Sequence, residues 1–185
     1  KDIVLQGGWS SDFSTRSRPD YPTIIDGEQQ RIGIFVTGGN PTIGGFVIVN
    51  GRNTYGGGIN EYNADGHTII EDNEIRDNTA TPYYGGGIYS HRGNITIRNN
   101  IIRSNTADTN GGGIYILALS GDATALIEGS FQTVNVLTLL NDFSYPAPYR
   151  LEEPITAKNL MNSFGGGGTW ILCLDLFPTV NVWAT

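Results

Sequence analysis

The tetrapeptide Gly-Gly-Gly-Ile occurs three times, starting at residues 56, 85 and 111. Successive starts lie 29 and 26 residues apart (85 − 56 and 111 − 85). An echo of this period marks a chain built as a stack of like units, each burying its apolar face on the next, and not a globule around one centre. A second echo keeps a constant offset. Residues 70–80 align with residues 97–107 at a spacing of 27, with Ile, Asn, Ile, Arg, Asn, Thr and Ala at matching places. A looser copy lies upstream, where Val47 precedes Asn50 as Ile75 precedes Asn78 and Ile102 precedes Asn105.

The segments between turn residues are too short for helical repeats. They carry Ile, Val, Thr and Tyr, which suit strands, and are punctuated by Asn and Gly, which suit bends with left-handed backbone angles. One unit reads as strands 94–98, 101–103 and 113–116, each followed by a bend. Three short strands in about 27 residues make one coil of a right-handed parallel β-helix, an all-β solenoid. In that geometry Ile70 lies over Ile97 and Ile75 over Ile102, all pointing inward, and each burial contributes roughly 1.5–3 kcal/mol. Asn73 over Asn100, and Asn78 over Asn105, form ladders that satisfy polar groups at the corners. Glu71 stacks on Arg98 favourably, and Arg76 on Arg103 unfavourably, both with small effect at an exposed surface.

Residues 1–128 read as β-helix coils, four or five in number. Residues 1–51 are opening coils with longer loops, including a loop over 9–22, and residues 52–128 hold the clear repeats. From 129 to 185 the rhythm is lost, and the segment reads as a cap over the open end or as an unrelated tail. The chain opens at Lys1 directly into a strand-like run, which reads as a piece of a longer protein. A net charge of −7 and a pI near 4.6 argue against nucleic acid and against anionic membrane surfaces. No apolar run reaches the length of a membrane span. The single cysteine, Cys173, excludes an internal disulfide and a cysteine metal cluster.

The pattern Ile102-x-x-Asn105-Thr106-Ala107 followed by Gly111-Gly112-Gly113-Ile114-Tyr115 resembles the repeats of bacterial surface β-helix proteins. It is similar above all to those of the polymorphic outer membrane proteins, and more broadly to the pectin-lyase-like superfamily. The opening, Gly7-Gly8-Trp9 and residues 21–27, is similar to the start of such domains. The resemblance covers residues 1–128 and implies the fold. It leaves activity open, because that fold carries lyases, hydrolases, adhesins and inert stalks.

Candidate chemistry stands beside a plainer reading each time. A polysaccharide lyase of this fold would gather calcium-binding carboxylates and an arginine on the outside of one sheet, from Glu71, Asp72, Asp77, Arg76 and Arg98. The plainer reading is a charged solvated face. A glycoside hydrolase would need two facing carboxyls, such as Glu61 with Asp65 or Asp65 with Asp72, and these read more simply as solvated loop acids. His67 and His91 lie 24 apart but out of register, so no metal site is expected. Tyr89 and Tyr115 follow the inward Ile88 and Ile114, so they point outward and stack, with Tyr55, Tyr62, Tyr83 and Tyr84 near the same corner. Such rings suit a sugar or a partner surface, Tyr89, Tyr115, Tyr84 and Tyr62 being the candidate binding residues. They suit equally a ladder that only stabilises the coil.

The expectation is therefore a non-catalytic structural or adhesin-type module of a larger bacterial surface or secreted protein. It is extracellular, with polysaccharide or a cell-surface partner on its outer face, no catalytic residue, no cofactor and no membrane insertion of this segment. The alternative is a carbohydrate-active enzyme of the pectin-lyase-like fold, which would bring calcium.

Overall fold

The computed structural model describes residues 2–63, 66–91 and 94–118, and beyond them five strands. The first winding holds β1 (Val4–Gln6), β2 (Thr23–Asp26) and β3 (Ile34–Val36). The second holds β4 (Thr42–Gly44), β5 (Phe46–Val49), β6 (Arg52–Asn53) and β7 (Ile59–Tyr62). The third holds β8 (His67–Glu71), β9 (Glu74–Arg76), β10 (Thr79–Ala80) and β11 (Ile88–His91). The fourth holds β12 (Asn94–Arg98), β13 (Ile101–Arg103), β14 (Thr106–Ala107) and β15 (Ile114–Ala118). Then come β16 (Ala125–Glu128), β17 (Leu137–Asn141), β18 (Arg150–Glu152), and an antiparallel pair, β19 (Lys158–Ser163) with β20 (Trp170–Asp175).

Corresponding strands pair in parallel from one winding to the next, giving an all-β solenoid of about three turns with about 27 residues per turn. The strands expected at 94–98 and 101–103 form as read. The third begins at Ile114, and a two-residue strand, β14, precedes it. The opening turn is wider than those that follow. Val4 pairs with Thr42, so that turn takes 38 residues (42 − 4) and contains the loop expected at 9–22. The nature of residues 129–185 outside their strands lies beyond the described residues.

The core consists of vertical files. Ile43, Ile70 and Ile97 stack in one sheet, Ile25, Ile48, Ile75 and Ile102 in the second, and Ile34, Ile59, Ile88 and Ile114 in the third. Ile70, Ile75, Ile97 and Ile102 are all fully buried. Alternation along each strand sends these residues inward and their neighbours outward.

The corners explain the repeated polar residues. Asn73 donates its side-chain amide to Asn100 Oδ1 at 3.1 Å and to the Ile43 carbonyl at 2.9 Å, while its oxygen accepts the Phe46 N–H at 3.0 Å. Asn78 does the same toward Asn105 Oδ1, Ile48 O and Gly51 N–H. Buried polar groups of one coil are thus satisfied by the next. The upper copy differs by one residue from the sequence reading. Val47 pairs with Glu74 and Ile48 with Ile75, so the residue above Asn78 is Gly51, not Asn50. Asn50 belongs to a neighbouring file: Asn50, Asp77 and Ser104 all adopt φ near +55°, as do Asp72 and Asn99 below Gly45. Short polar side chains tolerate that left-handed angle best after glycine.

The glycine triplets answer to two demands. Gly56, Gly85 and Gly111 take positive φ. The middle glycine admits no side chain, since a Cβ on Gly86 would lie 2.2 Å from the Thr106 carbonyl oxygen.

Candidate functional site

The outward positions of β11 and β15 carry the tyrosines. Tyr89 lies in register with Tyr115, their rings 5.6 Å apart and 9° from parallel. Toward β7 the in-register residue is Asn60, so Tyr55 from the preceding bend fills the place and meets Tyr89 at 4.9 Å. Tyr83 stacks on Tyr55 at 5.1 Å, and Tyr84 on Tyr115 at 4.4 Å. The result is one continuous aromatic corner.

Its burial is uneven. Tyr89 and Tyr115 are only 6% and 2% exposed, because Tyr55 and Tyr84 lie over them. Burial raises the Tyr115 phenol above its usual pKa, so the ring stays neutral. Tyr84 is half-buried. Tyr83 and Tyr62 are 42% and 45% exposed, and Tyr62 packs on the His91 ring at 4.7 Å. The four tyrosines read as candidates therefore divide into two that brace the corner, one at its edge and one that offers a face to solvent.

Three outer carboxylates, those of Glu71, Glu74 and Asp77, are engaged with arginines. Glu71 accepts from Arg98 Nε at 2.8 Å across one coil, as the spacing implies. Arg76 does stand beside Arg103, but the expected repulsion is relieved. Glu74 lies between them, 3.2 Å from Arg76 and 2.7 Å from Arg103, and takes a third contact from Arg18 at 3.0 Å. Asp77 pairs with Arg76 at 2.6 Å. The Arg18 contact spans 56 residues and was not legible in the repeat.

Glu61 differs from the solvated loop acid expected of it. It occupies the same inward parity in β7 as Ile59 and is fully buried within the coil. It pairs in register with Val36 above and Ser90 below, and accepts from Ser90 Oγ at 2.6 Å and Thr68 Oγ1 at 3.4 Å. Burial pushes its carboxyl up to about 7, against the pull of these hydrogen bonds. A carboxyl enclosed in this way cannot face a glycosidic bond outside the coil. Its proposed partner Asp65 lies outside the described residues. Ser90, in the same parity after Ile88, was the signal that could have revealed a polar node here.

His67 and His91 lie in different sheets. His67 is in register with Asn94 and contacts Thr96 Oγ1 at 2.8 Å, while His91 is in register with Tyr62. Among the described residues no three His, Cys, Asp or Glu side chains gather as metal ligands would. No family model, curated protein or solved structure matches the chain.

Proposed function

We propose that this chain is a non-catalytic β-solenoid module of a larger extracellular or cell-surface protein, a rigid spacer whose tyrosine corner contacts polysaccharide. One observation carries the reading: the outward side chains of successive coils contact each other. Tyr89 and Tyr115 stack, Glu71 holds Arg98, and Glu74 holds three arginines. Side chains so placed stiffen a stack, and two aromatic rings of the corner still face solvent. The exposed rings of Tyr83 and Tyr62 have the amphipathic surface that sugar stacking uses.

The test is retention on a panel of insoluble and immobilised polysaccharides, with Tyr83→Ala and Tyr62→Ala variants. Retention that falls in either variant at unchanged melting temperature supports the reading. Release of new chain ends from uronate polymers, with or without calcium, would move the assignment to the enzymatic alternative.

A further inference from the structure

We infer that the end of the solenoid formed by β1, β2 and β3 is a self-association surface, on which a second copy of this chain docks head to head across a two-fold axis and adds its own three edges antiparallel. Such docking goes beyond the proposed role and does not involve the tyrosine corner.

Apolar exposure is concentrated at this end. Ten large hydrophobic side chains are exposed among the described residues, and all but Tyr62 and Tyr83 belong to residues 3–35. The inward file that holds Ile43 at 2% exposure ends on Leu5 at 45%. The other two files end on Ile25 and Ile34, which are only partly buried. The outward Ile24 and Phe35 are 58% and 57% exposed. The first winding does not fold over its own end. Its loop and bend turn down the side, where Arg18 reaches Asp72 and Glu74, and Gln29 reaches the Asp77 carbonyl at 3.1 Å. The three strands also lack the usual guards of an edge: they hold no lysine or proline, and one charge, Asp26.

The backbone is equally open. β1, β2 and β3 each pair with one neighbour, the strand below. Alternate residues of a parallel strand serve each side. The bonds from Thr42 N–H to Ile3 O and from Gly7 N–H to Gly44 O turn the odd residues of β1 downward, so Val4 and Gln6 offer N–H and C=O upward. By the same count, the bond from Gly27 N–H to Val49 O leaves Ile24 and Asp26 facing up, and that from Ile34 N–H to Gly58 O leaves Phe35.

A single extended segment covers one such edge. Three at once call for another solenoid end, and this chain's own end fits in register. A two-fold axis through Leu5 sets β1 against β1 of the copy, with Val4 opposite Gln6 and Leu5 opposite Leu5. It sets β2 against β3 of the copy, with Ile24 opposite Phe35 and the inward Ile25 opposite Ile34. Residues with open N–H and C=O then fall opposite each other, as hydrogen-bonded antiparallel pairs require, and inward residues meet inward ones. The outward Ile24 and Phe35 become cross-strand partners and cover each other. The contact continues the packing that joins one coil to the next, and a two-fold contact closes at two copies.

Sedimentation equilibrium of the full chain over a range of concentrations tests this. The expected result is a reversible dimer at twice the 20.0 kDa chain mass. Ile24→Lys and Phe35→Glu lie outside the core, so each should keep the circular dichroism of the parent. Each should weaken the dimer by about tenfold or more, because a charge is set against an apolar side chain. The double variant Ile24→Lys/Phe35→Glu sets opposite charges face to face and should recover most of the lost affinity. A monomer at every concentration overturns the proposal, as does an open-ended series of larger species, which marks head-to-tail stacking. A dimer indifferent to both single substitutions overturns it too, and so does a double variant that associates no better than the single ones.

Discussion

The two halves of each coil are built to different rules. From the second winding to the fourth, the half made of β4, β5, β8, β9, β12 and β13 keeps a spacing of 27 residues, with Ile over Ile and, between the third and fourth, Asn over Asn. The half made of β7, β11 and β15 varies in spacing, Ile59, Ile88 and Ile114 being 29 and 26 residues apart (88 − 59 and 114 − 88). Its second inward file runs Val36, Glu61, Ser90, Ile116, a polar node in an aliphatic column. The regular half shows that identity from coil to coil is what buried ladders require. The irregular half shows that a coil tolerates variation where bends are long and aromatic rings can fill the gaps.

The sharpest way to break this contrast is to remove one rung of the regular half. Asn105→Leu leaves the Asn78 backbone N–H, its side-chain amide and the Ile75 carbonyl without the partner each now has. The amide keeps its bond to Ile48, so two buried groups lose their partner outright, and at about 1–3 kcal/mol each they predict a loss of roughly 3 kcal/mol. Arg103→Ala, at the exposed end of a shared ion pair, should cost about 1 kcal/mol or less. Equal shifts in melting temperature for the two variants would sink the ladder argument.

The next effect probes the irregular half through pH. Glu61 titrates near 7 folded and near 4.5 as a free carboxyl, so the folded state holds its proton more tightly. Its contribution is complete below pH 4.5, declines as pH rises toward 7, and is lost above that. The full change is about 3 kcal/mol by the usual conversion of a pKa shift. Chemical denaturation across this range should show stability falling with pH. Glu61→Gln should flatten the Glu61 part of that slope, and an unchanged slope would place the titration elsewhere. The smallest effect belongs to the aromatic corner. Tyr115→Leu keeps an apolar group but loses the stacks on Tyr84 and Tyr89, which predicts about 1 kcal/mol. A neutral result would mean the rings merely fill space.

Much of the regular half was legible because its physics is local to one spacing. The inward files and both asparagine ladders follow from aligning residues 70–80 with 97–107. The upper end was misaligned by one residue, because Val47, Ile48 and Val49 are interchangeable by pattern and only pairing chooses among them. Glu61 escaped because strand parity argues for burial while charge argues against it, and the Ser90 hydroxyl that reconciles the two is a full coil away. Arg18 escaped because a loop contact that crosses more than fifty residues leaves no periodic trace. The tyrosine stack was visible from parity. Its burial was not, since it depends on Tyr55 and Tyr84 folding back over the sheet.

The rungs joining one turn to the next run along the axis of the spiral, and apart from Arg18 and Gln29, which reach from the first winding to the third, they tie each turn to those above and below. Such a column offers few detours around a weak joint. The join between β7 and β11, where a carboxyl meets a hydroxyl in place of two aliphatic groups, is where acidity sets how firmly the upper turns grip the lower ones. A tether built this way would hold hardest in acid and part first in alkali.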